Sequence, residues 1–160
     1  MWVDIMARVC GRAVAIPLEA AAFDSDAAEL FGHVRWAVRD EEYPGLVQAD
    51  GGGCTGASVR GVLYRGLSPQ EFKRLDAFEG IEYERVMVRV RVWRNGENRI
   101  EGAQDGSFDS RLEEQAWVYR FREAFADRLL PTPWDPERFE SEGKQRFMQR
   151  YVGFQVRSAT

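Results

Sequence analysis

The sequence predicts a mixed α/β (α+β) fold in a single domain, and three stretches carry that expectation. Tyr83–Trp93 alternates, with Val86, Val88, Val90 and Val92 on one side and Arg85, Arg89 and Arg91 between them, the pattern of a half-buried strand. Ser68-Pro69-Gln70-Glu71 opens a helix with an N-cap serine, a proline at the first helical position and the glutamate of a capping box. Phe139, Gly143, Phe147 and Tyr151 recur every fourth residue and form one stripe on a closing helix that can pack over a sheet. A chain of 160 residues suits one domain that buries roughly 70% of its unfolded surface.

The remaining elements follow from local chemistry. Val3–Val9 is a short helix closed by Gly11. Leu18–Ala28 is ambiguous, since its alanines suit a helix while its Asp and Ser residues suit a turn. Glu29–Val38 is strand-like, and Arg39–Glu42 turns the chain into Tyr43-Pro44-Gly45, where Pro44 fixes its own φ and extends Tyr43. Asp50-Gly51-Gly52-Gly53 is a turn. Val59–Tyr64 is a strand in which Gly61 marks a bulge or a close backbone approach. The helix from Ser68 ends at Phe78 or Glu79, with Gly80 as its stop. Arg94–Glu114 is a long loop or hairpin, Ala116–Phe121 a further strand, and Pro131, Pro133 and Pro136 lead into the closing helix.

Composition narrows the function classes. Acids outnumber bases by 26 to 22, which leaves no electrostatic footprint for nucleic acid or an anionic membrane. No apolar run approaches the ~20 residues that span a bilayer, and the start does not read as a secretory signal, so a cytoplasmic protein is the default expectation. Cys10 and Cys54 are the only cysteines and His33 the only histidine. A disulfide scaffold and a structural zinc site are therefore not expected. A thiol enzyme built on either cysteine ranks last for want of a base, and His33, in a strand-like segment, is expected to be structural or solvated.

One residue stands on the wrong face of its helix. At about 100° per residue, Glu79 falls about 20° from Phe72 and about 40° from Leu75, on the side that should meet the sheet. The helix C-terminus also disfavours a carboxylate there. Two readings stay open: Glu79 is a rim acid paired with an arginine such as Arg85 or Arg89, or it stands at an apolar cavity whose desolvation raises its pKa toward that of a general acid/base. Asp76, less inward, is expected to be a hydrogen-bonding, turn-side residue. Tyr43-Pro44-Gly45 is either a plain turn or a place where Gly45 lets the backbone approach a ligand, with Tyr43 as wall or hydroxyl donor.

The ordered set YPGLV (Tyr43–Val47), VRGVLY (Val59–Tyr64), LSPQEFKRLDAFEGIEYERVMVRV (Leu67–Val90) and AWVYRF (Ala116–Phe121) resembles the gamma-glutamylcyclotransferase-like family. LDAFEG followed by Tyr83 and Arg85 is its most specific part. The resemblance implies a partly closed β-barrel with flanking helices and a cavity at one side, over a single domain spanning residues 1–160, in which 134–154 would be an additional C-terminal helix. It implies conversion of a γ-glutamyl amine or peptide to 5-oxoproline and the freed amine, with no metal or organic cofactor required. Glu79 would then be the catalytic glutamate, and Tyr43, Pro44 and Gly45 would line or shape the substrate pocket. Family members usually open with a strand ending in Y-G-T-L, and no YGTL occurs in this sequence. The expectation is a barrel lacking that first strand, with unpaired backbone on its neighbours unless a homodimer or another segment covers it. The rival readings are a non-catalytic ligand-binding or interaction module on the same scaffold, and a structural protein that pairs through an exposed edge.

Overall fold

The computed structural model describes residues 2–12, 23–49, 56–93 and 113–152. The expected turn at 50–53, Cys54, residues 18–22 and the polar run 94–112 lie outside the described residues. Helix α1 (Val3–Cys10) ends at Gly11, whose φ of 72° lets its N–H reach back to the Arg8 carbonyl. Ile5, Met6 and Val9 turn the apolar face of α1 into the core.

Among the described residues seven strands follow: β1 (Asp24–Phe31), β2 (His33–Val38), β3 (Pro44–Gln48), β4 (Ser58–Arg65), β5 (Tyr83–Trp93), β6 (Glu113–Phe121) and β7 (Leu129–Pro133). The expectation of one strand over Glu29–Val38 is corrected here. Gly32, at φ 68°, divides the segment and carries the chain from one sheet to another. Its N–H donates to the Ala57 carbonyl and its own carbonyl accepts from Ala49, so one residue ties the ends of both neighbouring strands. Asp24–Ala28, ambiguous in the sequence, is the start of β1, because pairing along the whole of β4 outweighs the weak strand propensity of its acids and serine. Gly61 makes no bulge: it sits opposite Ala28 in unbroken register.

The sheets run antiparallel in the orders β4-β1-β5-β6 and β3-β2-β7, curled toward each other as a half-barrel with helices on its flank. β3 is an edge strand, which tolerates a proline without an N–H at its first residue. Among the described residues no strand pairs with the outer edge of β4 or of β6. Arg65 on β4 reaches Glu114 on β6 at 2.8 Å and Asp26 on β1 at 2.6 Å.

Helix α2 (Pro69–Glu79) and the C-terminal helical segment complete the fold. That segment runs through Pro136–Arg138, Phe139–Gly143, Lys144–Phe147 and Met148–Val152, alternating α turns with wider π turns. Asp135 caps it by accepting from the N–H groups of Glu137 and Arg138. The π turns explain the four-residue stripe: a pure α-helix would rotate such a stripe steadily off its face, whereas wider winding holds Phe139, Gly143 and Phe147 all buried. Two apolar clusters result. One joins α1, Leu75 and the C-terminal helix, and the other fills the curl of the sheets with Leu30, Leu46, Val90 and Val92.

Candidate active site

Helix α2 delivers Glu79 to its position because both of its ends are locally determined. At the start, Ser68 accepts from the Glu71 N–H while the Glu71 carboxylate accepts from the Ser68 N–H at 2.7 Å, closing the predicted capping box. Arg12 adds a second clamp, donating to both Glu71 oxygens. The Arg12 guanidinium, offset partly by burial and helped by Ser68, holds the Glu71 carboxyl down to about 2. Leu75, only 3% exposed, seats the middle of the helix. Gly80, at φ 71°, then stops it, its N–H bonded to the Asp76 carbonyl. Glu79 is thus the last helical residue, held in phase by everything before it.

A cavity of about 680 Å³ opens beneath that terminus, and Glu79 lines it with Phe72, Leu75, Phe78, Tyr83 and Tyr119. Of the two readings left open by helix phase, the arginine pair is absent. Arg85 is engaged by Asp76 at 3.2 Å and lies over the rings of Phe72 and Trp117, while Asp76 also accepts from the Tyr119 hydroxyl at 2.6 Å. Among the described residues no hydrogen bond or ion pair reaches the Glu79 carboxylate. Part of the residue's surface is open to the cavity, whose lining beside it is mostly aromatic and aliphatic. Burial therefore governs its acidity, pushing the Glu79 pKa up to about 7.

Tyr43 and Pro44 line the same cavity; Gly45 stands behind it. The Tyr83 hydroxyl donates to the Pro44 carbonyl at 2.8 Å, which couples the YPG turn to the strand that follows Glu79. Tyr43 contributes a wall: its hydroxyl donates to Glu82 at 2.9 Å, and its ring meets those of Tyr83, Phe147 and Tyr151 edge-on. Burial raises the Tyr43 hydroxyl to about 12, and burial followed by the nearby Glu79 raises Tyr83 further, so both phenols stay protonated. A side chain at Gly45 would collide with Leu129 and press on Phe121, so the glycine lets β3 close onto β6 and β7. Behind the tyrosines, Arg128 bridges Glu41 and Glu82, and Tyr151 donates to Glu41, pinning the C-terminal helix over the turn.

Comparison with known proteins places this geometry. A family model described as gamma-glutamyl cyclotransferase, AIG2-like, matches residues 9–137, which include the YPG turn, Glu79 and most of the cavity wall. The chain belongs to the gamma-glutamyl cyclotransferase, AIG2-like family. Among curated proteins it is similar to Protein AIG2 C of Arabidopsis thaliana, at 27% identity over 80% of this chain and 65% of that protein. It is also similar to AIG2-like protein C of the same organism, at 27% identity over 78% of this chain and 60% of that protein. The chain thus spans less than two thirds of the length of these relatives. Two solution structures of Arabidopsis thaliana proteins share the fold. One has a TM-score of 0.57 at 21% identity, covering 97% of this chain and 76% of that one. The other has a TM-score of 0.53 at 22% identity, covering 99% and 87%.

For several residues around this AIG2-like cavity the sequence gives no sign that they meet there. Arg35, Trp134 and Tyr151 reach it from β2, the C-terminal approach and the last helical turn, and no local pattern brings those three segments together. His33 is 8% exposed and bonded through Nδ1 to the Phe31 carbonyl at 2.9 Å, which makes it a structural residue of the β1–β2 junction. Burial pushes the Cys10 thiol up to about 11, an unreactive state. Among the described residues no cluster of three or more His, Cys, Asp or Glu is arranged to hold a metal ion, and no helix is long and apolar enough to cross a membrane.

Proposed function

We propose that this chain catalyses γ-glutamyl cyclotransfer with Glu79 as its general acid/base, releasing 5-oxoproline and a free amine from a small γ-glutamyl substrate. The observation that carries the reading is the cavity-facing Glu79 carboxylate, which has no hydrogen-bond or ion-pair partner among the described residues and whose pKa, pushed by burial up to about 7, lets it both take and return a proton near neutrality. Family membership supports the same chemistry.

The reaction is an intramolecular aminolysis. Glu79 accepts a proton from the substrate's α-ammonium, and the freed amine attacks the γ-carbonyl carbon. The C–N bond of the five-membered ring forms and the original amide C–N bond breaks. Glu79 passes that proton, and then the one the ring nitrogen gives up as the lactam forms, to the departing nitrogen, which leaves as an ammonium; the carboxylate is regenerated and atoms balance. Nucleophile and electrophile belong to one molecule, so the protein's main task is to hold the substrate bent. The walls supplied by Tyr43, Pro44, Tyr83 and the C-terminal helix suit that task, with Gly45 setting how closely β3 approaches.

The test is detection of 5-oxoproline by mass spectrometry after incubation with a panel of γ-glutamyl amines, with Glu79→Gln as the control. Product that depends on Glu79 is expected. Binding without product from any member of the panel would instead make the cavity an amine-binding module.

A further inference from the structure

One wall of the Glu79 cavity comes from a part of the chain that the family model does not reach. That match ends at residue 137, yet Phe139, Phe147 and Tyr151 of the C-terminal helical segment line the same cavity as Glu79. Phe147 is the centre of this wall. It is 7% exposed, and its ring meets four others, with centroids 6.0 Å from Phe78, 6.5 Å from Tyr43, 5.7 Å from Phe139 and 5.1 Å from Tyr151. Phe78 immediately precedes Glu79 at the end of α2, so the segment packs on the turn of helix that carries the acid. Tyr43 belongs to the YPG turn. One side chain therefore joins three pieces of the cavity wall.

The segment is fastened along its length by charges. Lys144 reaches Asp4 of α1 at 3.2 Å, Arg146 reaches Glu42 at 2.7 Å, and Arg150 reaches Glu41 at 3.5 Å. Gly143 makes the second pair possible, because a Cβ there would collide with the Glu42 carboxylate. Solvent-exposed pairs of this kind contribute little energy each, so they set register while the buried rings supply most of the seating. The ionisable groups that share the Glu79 lining are largely phenols: Tyr83 of β5, Tyr119 of β6, Tyr43 and Tyr151. All four are pushed up and stay protonated, with burial as the main cause. Charged groups on the same elements are taken up by one another: Asp76 by Arg85, Glu41 and Glu82 by Arg128, Asp4 by Lys144. Elsewhere on the lining Arg65 is paired with Asp26 and Glu114, Arg35 donates to the Arg60 carbonyl, and Arg60 is exposed. Exclusion of water by the walls is thus what governs the acid.

We propose that the C-terminal helical segment, through Phe147, is a positioning element of the site: it closes the cavity at the end of α2 and keeps water from the Glu79 carboxylate. Residues beyond the family match then decide how strong an acid the family-matched part presents. The inference rests on the cyclotransfer reading for its purpose, but its main measurement needs no substrate.

Carbon-13 titration of the glutamate carboxyls in the full chain and in Phe147→Ala tests it. In the wild type Glu79 should titrate near 7, and in Phe147→Ala its inflection should fall by about one pH unit or more toward the ordinary 4.5. Glu71, held down to about 2 on the same helix, should stay ionised throughout that range in both proteins, which reports that α2 remains folded. Phe147→Leu refills the space without the ring and should restore most of the wild-type value. In turnover, the acid limb of the kcat/KM profile should move to lower pH together with the titration. An inflection unchanged in Phe147→Ala, or one that falls equally in Phe147→Leu, would overturn the inference. A wild-type inflection near 4.5 would overturn it together with the reading of Glu79 as the proton carrier. The expected titration contrast without 5-oxoproline from any γ-glutamyl amine would remove cyclotransfer and leave the role of the segment standing.

Discussion

Glu71 and Glu79 sit at opposite ends of one helix and receive opposite treatment. Glu71, buried at the N-terminus, accepts from the Ser68 backbone and from Arg12 in a position that the helix dipole also favours, and its carboxyl is held down to about 2. Glu79, at the unfavourable C-terminus, meets no donor among the described residues, and burial pushes it up to about 7. A buried carboxylate without donors costs free energy, and such groups cluster at functional sites. The first acid stabilises the helix; under the proposed function the second is the proton carrier, held by a helix that the first keeps in phase.

The contrast is broken most sharply by exchanging what each acid contributes. Glu79→Gln should lower kcat by about 10²- to 10⁴-fold, the range for loss of a general acid/base, while leaving the melting temperature at pH 8 unchanged or raised. Glu71→Ala should do the reverse. It should cost roughly 2–4 kcal/mol through loss of the cap and the Arg12 pair, measured by denaturant unfolding, with turnover per folded molecule largely kept. If both variants lose activity without losing stability, the division of roles is wrong.

The pH dependence of stability sharpens the same comparison, because the two shifts have opposite signs. Glu71 has a folded pKa of about 2, below its unfolded value of 4.5, so its contribution is full above pH 4.5 and is lost as pH falls toward 2. Glu79 has a folded pKa of about 7, above 4.5, so the folded state binds the extra proton. Its contribution is full below pH 4.5 and is lost as pH rises through 7, a decline of roughly 1–3 kcal/mol after allowance for the open side of the cavity. Unfolding free energies measured across pH 2–8 should show the acid-side loss disappearing in Glu71→Ala. The neutral-side loss should disappear in Glu79→Gln.

What was legible in the sequence follows the range of the interactions. Helix α2 could be read to within one residue because its start, its phase and its stop are set within a dozen positions, and Glu79 inherits that legibility. β5 alternates for the same local reason. The split at Gly32 could not be read, since only the partners of β1 and β2, in different sheets, reveal that a strand-like run turns there. Helix phase alone could not choose between a rim ion pair and a cavity for Glu79. That choice depended on Asp76 taking Arg85, a contact across the helix–sheet interface. Gly45 was legible as a glycine that something must need, but the need is the approach of Leu129 and Phe121, far away in sequence. Arg35 carried no signal, because its place in the cavity wall comes from three segments brought together.

The titration of the Glu79 side-chain carboxyl itself tests the account most directly and requires no knowledge of the substrate. Carbon-13 NMR of glutamate carboxyls, assigned by comparison with Glu79→Gln, would follow it across pH 3–9. An inflection near 7, well separated from the other glutamates, is predicted. An inflection near the ordinary 4.5 would mean that the carboxylate is solvated or paired, and would contradict its role as the proton-transferring group.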